Sequence, residues 1–463
     1  MTPTKLREMG FPQGPEIGLA VRAWPALREQ WGDAEAKRRL DEVLQRPEAA
    51  LEDPLLGELA RALVGRRRRT FIPRETPAPY RVWGSEQIDP AALAQMEAAV
   101  RLPVSVGGAL MPDAHVGYGL PIGGVLATKD AVIPYAVGVD IACRMRLSVF
   151  PIPGDELGRL HDLLRKILLK ETVFGAGATQ AKLVDHPVLH EDWTVTPVVR
   201  RQYEKAREQL GTSGSGNHFV EWGVLSLERP ELGLDAGNYL ALLSHSGSRG
   251  AGAAVADFYS RLAMQKHPEL PEELRRLAWL ELSSPEGQEY WAAMELMGRY
   301  ASANHAVIHE RVARALGERP ALTVENHHNF AWKETWNGQD VVVHRKGATP
   351  AGVGVLGIIP GSMASPGFVV RGRGVEASIN SASHGAGRAM SRTAAKQSLR
   401  WGTLKGLLAE RGVTLLSAGI DEAPPAYKDI HSVMSAQSDL IEVVARFDPR
   451  IVRMADSSER PED

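Results

Sequence analysis

Apolar residues recur at helical spacing through the first 75 residues, most clearly over 34–44 and 55–64, in a background rich in Ala, Leu, Glu and Arg. Arg66, Arg67, Arg68 and Arg69 close this region, and Pro73, Pro77 and Pro79 follow as a linker. Such a charge run reads most simply as a solvated helix end, with a phosphate-contacting patch as the alternative. From about residue 80 the pattern changes. Short apolar runs at 104–110, 123–128, 145–150, 341–343 and 368–371 predict strands, several of them bounded by glycine. Between them, helical periodicity predicts helices over 156–170, 203–210, 251–265 and 291–316. The alternation lacks the regular spacing of a dinucleotide-binding or barrel fold. There is no internal repeat. The expected architecture is α+β: a helical extension over 1–75, one large mixed domain over 80–456, and a polar tail over 457–463.

Composition narrows the classes without naming one. The 463 residues are 44% hydrophobic and 24% charged, ordinary values for a globular protein. Lys and Arg number 54 against 56 Asp and Glu, so bulk charge does not announce a nucleic-acid binder, although a local basic cleft is compatible with it. No run reaches the ~18 to 20 apolar residues of a membrane span, and the N-terminus has no signal-peptide core. The single cysteine, Cys143, excludes an internal disulfide framework and a Cys-only zinc site. A cytoplasmic location, away from membranes, is the expectation.

Five segments have a composition that packing alone does not require. Val137-Gly-Val-Asp140-Ile-Ala-Cys143 places a carboxylate and the only thiol three residues apart. Gly211-Thr-Ser-Gly-Ser-Gly-Asn217-His218-Phe-Val-Glu221 is a glycine-rich turn that delivers Asn, His and Glu. Ser244-His245-Ser-Gly-Ser-Arg249, Glu325-Asn-His327-His328-Asn329 and Ser383-His384-Gly385-Ala386-Gly387-Arg388 complete the set. Each histidine alone reads as a structural one, and a lone cysteine as a small buried hydrophobe. Together they form a mixed oxygen, nitrogen and sulfur donor set. It suits a catalytic divalent ion such as manganese, with zinc, cobalt or nickel able to bind the same groups. Two ions can be served if the thiolate bridges them.

His384 has a different setting. Arg388 and Arg392 lie four and eight residues on, a spacing that on a helix puts both guanidiniums on its face. Guanidiniums that fork onto phosphate oxygens, beside an imidazole able to attack an α-phosphorus, suit nucleotidyl transfer. Pro360-Gly361-Ser362-Met363 reads as a tight turn offering backbone N–H groups and a hydroxyl. Asp421 to Lys428 offers Tyr427 for base stacking, or is a proline-rich surface loop. Val343-His344-Arg345-Lys346-Gly347 reads as a basic turn after a strand, for RNA phosphates or simply solvated.

With these segments the chain resembles the RtcB family of RNA-splicing ligases over about residues 105–456. The resemblance adds Met-Pro-Asp113-Ala-His115-Val-Gly-Tyr-Gly to the motifs above, all in the family's order. It implies that Cys143 bridges two manganese ions, with Asp140 and His218 completing one site and His245 and His328 the other. It implies that His384 carries GMP. Asn217, Glu221, Asn329, the turn Pro360, Gly361, Ser362 and Met363, together with Gly385, Ala386, Gly387 and Tyr427, are placed at GTP and its metals. Arg249, Arg388, Arg392, Arg345 and Lys346 are placed at RNA or triphosphate oxygens. The implied reaction opens a 2′,3′-cyclic phosphate, activates the resulting 3′-phosphate with GMP, and joins it to a 5′-hydroxyl in tRNA splicing or RNA repair. The implied partners are RNA and GTP; the sequence specifies no activating protein.

Two departures touch guanosine recognition. The family's tail ends near a lysine at the guanine, whereas this chain has Ile451-Val-Arg-Met-Ala-Asp456 and seven further residues. The family's Gly-Ser-Met-Gly with a serine three residues later is here Gly361-Ser-Met-Ala364-Ser-Pro-Gly367. The opening Thr4–Gly18 separately resembles part of the helical tail of CCA-adding tRNA nucleotidyltransferases, implying a helix, a Gly-Pro turn and a second helix. Packing of the two helices is the simpler reading of it, RNA contact the other. A paralogue using another nucleotide or nucleic-acid end, and a non-catalytic RNA-binding protein, are the competing readings.

Overall fold

A computed structural model of the chain describes residues 1–12, 14–68 and 71–456, for 66–68 the backbone only. The arginines of the 66–69 run and the 457–463 tail therefore lie outside the described side chains. The chain divides into two compact units. One comprises Met1–Ile72 with His267–Glu272, and the other Pro73–Lys266 with Glu273 onward.

The first unit is helical. The helix Pro3–Glu8, a turn through Gly10 with φ of +93°, and the helix Pro15–Gln45 follow the order implied for the opening segment. Gly32 leaves helical geometry at φ 75°, so the long helix is two helices joined at a kink, the second spanning the apolar repeat seen at 34–44. Leu6 and Phe11 pack with Leu27, Leu40 and Leu59 in one core, so the segment's apolar residues serve helix packing.

The second unit is built on two large sheets, with two further two-stranded pairs among the described residues. Five strands run in the order Tyr80–Val82, Ser105–His115, Ile122–Thr128, Gln339–Lys346, Asn329–Trp336, with only the first pair parallel. The eight-stranded sheet runs Leu356–Ile359, Gly367–Gly372, Ile441–Met454, Phe219–Leu227, Gly237–Ser246, Arg144–Pro153, Leu322–His327, with Thr414–Ser417 beside the long 441–454 strand. Alternation sends successive side chains to opposite faces. Leu147, Leu243 and Phe447 fill one face of the larger sheet. On its other face Trp222 and Leu242 meet Leu164 and Leu168 of the helix Leu157–Glu171 and Ile308 of the helix Pro285–Leu316. The expected strands and helices thus occur where the periodicity places them, in an α+β unit.

Two sequence expectations are corrected here. Residues 384–391 are not helical; the next helix begins at Arg392, so Arg388 and Arg392 do not share a helix face with His384. Gly385 and Gly387 explain this, since glycine disfavours helix interiors and Gly387 sits at φ 71°. Arg345 and Lys346 belong to the strand Gln339–Lys346, not to a turn, and both are buried.

Candidate active site

The strands Arg144–Pro153, Gly237–Ser246 and Leu322–His327 are adjacent, and their ends bring residues far apart in sequence together. Cys143 Sγ lies 3.0 Å from His245 Nε2 and 3.5 Å from His218 Nε2. His245 Nε2 is 3.1 Å from His328 Nε2, and His218 Nε2 is 3.1 Å from Asp140 Oδ2. Two donor groups result, Cys143–His245–His328 and Asp140–Cys143–His218, each with ligand atoms within 4.8 Å of one another. Cys143 belongs to both.

The local backbone makes this approach feasible. The side chain of Asp140 lies over Gly247, where a Cβ would meet its carboxylate oxygens at 2.0 and 2.2 Å. Asp140 Oδ1 accepts from the Ser248 N–H at 2.9 Å, which leaves Oδ2 facing His218. Asn329 clips the loop in place: its carbonyl accepts from Ala142 N at 2.6 Å, and its Oδ1 accepts from Gly347 N at 2.9 Å.

Protonation states follow from the hydrogen bonds. His245 Nδ1 donates to the Asn217 carbonyl at 3.1 Å, so its Nε2 carries the lone pair aimed at Cys143 and His328. Burial holds His245 neutral, with its pKa lowered to about 3, and pushes His328 well down as well. Burial works against the Asp140 carboxylate, yet His218 and Arg249 hold its pKa below the ordinary value. A thiol proton can serve only one of the contacts among Cys143, His245 and His328. A divalent cation serves all of them, and the donor set fits one or two such ions.

His384 stands beside this cluster, its ring centroid 4.9 Å from that of His328. It follows the strand Ser381–Ser383, which pairs with Ala348–Pro350 just after Gly347. Its Nδ1 is 2.7 Å from Asp113 Oδ2, and its backbone N–H donates to the same oxygen at 3.1 Å. Asp113 is fully buried. An Nδ1–H donated to Asp113 leaves the His384 Nε2 lone pair free for chemistry. Asp113 sits in the Met-Pro-Asp113-Ala-His115 motif, which by itself assigns it no role. The contact spans 271 residues, so no spacing could have shown it.

The other predicted residues take varied places. Glu221 is buried on the strand Phe219–Leu227, and burial raises its carboxyl well above the ordinary range. Pro360, Gly361 and Ser362 are half-buried and Met363 is buried, with Ser362 Oγ 2.9 Å from Ser365 Oγ. Gly385 N donates to Asp113 Oδ2 at 3.3 Å, the Asp113 carbonyl lies 2.0 Å from where a Gly387 Cβ would be, and Ala386 between them is buried. Tyr427 donates to Glu422, and the Arg388 guanidinium lies 5.3 Å from its ring centroid, so that face is already stacked.

The arginines expected at phosphates have protein partners. Arg392 donates to Asp421 at 2.9 Å and also to Glu422, and Arg388 donates to the Asp421 carbonyl at 2.8 Å. Arg249 is buried and donates to Thr212 Oγ1 at 3.1 Å and to the Gly175 carbonyl. Arg345 is 1% exposed, makes a paired contact with Glu334, and stacks on Trp332. It is a core cation, not a surface RNA contact. Lys346 donates to the Tyr118 carbonyl, and burial lowers its pKa to about 7.

Fold and site together define an α+β protein with a buried thiol, imidazole and carboxylate centre opening on a carboxylate-held histidine. A family model for the tRNA-splicing ligase RtcB matches residues 95–455. The RNA-splicing ligase RtcB of Escherichia coli K12 is 34% identical, over 79% of this chain and 95% of its own length. The tRNA-splicing ligases RtcB of Nanoarchaeum equitans and Thermococcus kodakarensis are 31% and 32% identical, over 82% and 73% of this chain and 96% and 86% of their own lengths. The chain belongs to the RtcB family of RNA-splicing ligases.

Proposed function

We propose that this chain is a GTP- and manganese-dependent ligase that joins RNA ends bearing a 2′,3′-cyclic phosphate or 3′-phosphate to 5′-hydroxyl ends. The observation that carries the reading is the sharing of Cys143 between two donor groups, beside a histidine whose Nδ1 is held 2.7 Å from Asp113. Asp140, Cys143 and His218 would hold one ion, and Cys143, His245 and His328 the second. Bound there, divalent cations act as Lewis acids that gather and neutralise phosphate oxygens.

The chain's own groups do the rest. His384 Nε2 attacks the α-phosphorus of GTP; the N–P bond forms as the bond to pyrophosphate breaks. Asp113 keeps the ring in the reactive tautomer and steadies the positive charge that develops on it. Once the cyclic phosphate has been opened by water, an oxygen of the RNA 3′-phosphate takes the GMP from His384 and frees the imidazole. The 5′-hydroxyl of the second strand then attacks the activated 3′-phosphate and GMP leaves. Asn217, Glu221, the Pro360–Met363 turn, Gly385, Ala386, Gly387 and Tyr427 would frame the nucleotide. Asn329 acts by fixing the 140–143 loop to Gly347. Contacts of Arg249, Arg388 and Arg392 with oxyanions would compete with their present partners.

The tail and the Gly361–Ser365 turn favour a second reading, a ligase of the same chemistry that takes another nucleotide. Labelled GTP and ATP incubated with the protein and manganese separate the two. Covalent, acid-labile label from GTP that is lost in His384→Ala, with metal content retained, supports the first. Label from ATP alone supports the second, and label persisting in the mutant removes His384 from both.

A further inference from the structure

The strands that bring Cys143 and His328 together turn their neighbours to the opposite side. Arg144 and His327 are each one residue from a proposed ligand and are cross-strand partners. With Phe330, Gly298, Arg299 and the Glu295 carboxylate they line a cleft of about 390 Å³ between the helix Pro285–Leu316 and the strand Asn329–Trp336. Gly298 keeps its floor low, since a Cβ there would lie 3.0 Å from the Phe330 ring.

Arg144 is 6% exposed and makes no direct ion pair among the described residues, the Glu325 carboxylate acting on its charge only from a distance. It donates to His327 Nδ1 at 3.2 Å and to the Gly298 carbonyl at 3.4 Å, while its buried Nε has no partner. The nearby acids are engaged elsewhere: Glu325 with Arg146 at 2.8 Å, Glu295 with Trp291 Nε1 at 2.8 Å, and Glu191 with Arg299 at 2.7 Å. A desolvated guanidinium with only a distant carboxylate is poorly compensated, and an anion entering the cleft adds a direct partner.

Beside it stands an aromatic group. The His327 ring lies 5.0 Å from Trp332 at 34° and 5.1 Å from Phe330 at 83°. Trp332 has Arg345 4.7 Å from its ring centroid, and Lys333 lies over Trp291 nearby. Phe330 and Trp332 lie on an edge strand of the five-stranded sheet and His327 ends an edge strand of the eight-stranded one; all three are half-buried, and His327 and Phe330 form part of the cleft wall. A lone phosphate needs only the cation, and an acidic peptide has no use for stacked rings. Cation and rings together match one nucleotide of a polynucleotide.

We propose that this cleft is a second contact for single-stranded RNA, in which Arg144 holds a backbone phosphate and the His327–Phe330–Trp332 group stacks a base. The proposal rests on the ligase reading and adds to it a grip on the substrate away from the reacting ends.

The test uses the full chain and a short single-stranded RNA carrying 4-thiouridine. Photocrosslinks should map to residues 327–332. Arg144→Met and Trp332→Ala should each weaken RNA binding about tenfold, the loss expected of one stacked or phosphate-held nucleotide. Thermal unfolding of each variant is followed as a control. If Arg144→Met does not fold, Trp332→Ala and crosslinking of the unsubstituted chain decide. RNA binding that survives in both variants, with crosslinks elsewhere, overturns this site and leaves the ligase reading standing. A chain that binds no RNA at all overturns that reading instead. Displacement by free uridine monophosphate as effective as by RNA would make this a mononucleotide pocket, and tighter binding of an acidic peptide would make it a protein contact; either ends the proposal.

Discussion

A Cβ at position 247 would lie 2.0 Å from Asp140 Oδ2, far inside contact distance, so the carboxylate can occupy its place only above a glycine. Gly247→Ala should therefore push Asp140 away from His218 and cost the ion held by Asp140, Cys143 and His218. The Cys143–His245–His328 group is untouched by that change, and elemental analysis should find one equivalent retained. Cys143→Ala differs in kind because the sulfur serves both groups, and it should lose both ions. Two equivalents in Cys143→Ala would contradict the bridging role. Asp113 works through His384. Removing its carboxylate frees the ring to change tautomer and withdraws compensation for the developing imidazolium charge. By analogy with aspartates that orient catalytic histidines, Asp113→Ala should slow nucleotidylation by about two to four orders of magnitude with metal content unchanged. A normal labelling rate in Asp113→Ala would remove it from the mechanism.

At the level of strands and helices, what was legible depended on whether the pattern was local. Runs such as 341–343 and 368–371 stand out because they are apolar, short and glycine-bounded, and they became the cores of Gln339–Lys346 and Gly367–Gly372. The strand Ile441–Met454 did not stand out: Arg446, Asp448, Pro449 and Arg450 interrupt it, and its register shifts near Pro449 where it pairs with Phe219–Leu227. The spacing of His384, Arg388 and Arg392 matches a helix face, but Gly385 and Gly387 between them keep the segment out of a helix. The convergence of Cys143 with three histidines was legible as composition, whereas the Asp113–His384 contact was not, being purely tertiary.

His344 shows what a strand can do to a titrating group. Fully buried on Gln339–Lys346, it accepts from Ile133 N at 2.9 Å through Nε2, and its Nδ1 donates to the Leu126 carbonyl at 3.1 Å. Protonating Nε2 would break the first bond and bury a charge, and burial lowers the pKa to about 4 from an ordinary 6.5. Below pH 6.5 the unfolded chain takes up a proton that the folded chain refuses. Its contribution is therefore complete above pH 6.5 and is lost as pH falls toward 4, amounting to about 3 kcal/mol. Urea unfolding between these limits should show a shallower pH slope in His344→Gln than in the unsubstituted chain. Parallel slopes would mean that His344 does not titrate in this way.

For the molecule as a whole, the two units carry separate cores. Leu27, Leu40 and Leu59 belong to the helical one, while every proposed ligand lies in the unit that begins at Pro73. A ligand that binds only the folded state stabilises what must open to release it. Manganese should therefore slow hydrogen exchange in the strands Phe219–Leu227, Gly237–Ser246 and Leu322–His327, whose ends hold His218, His245 and His328. Amides of the helix Pro15–Gln45 should exchange at the metal-free rate, because no donor of the cluster comes from that core. Cys143→Ala supplies the control, since the protection should vanish with the sulfur. Equal slowing in both units would show that the helical unit opens only together with the metal centre. No slowing in either would leave the cluster a packed set of histidines around a thiol.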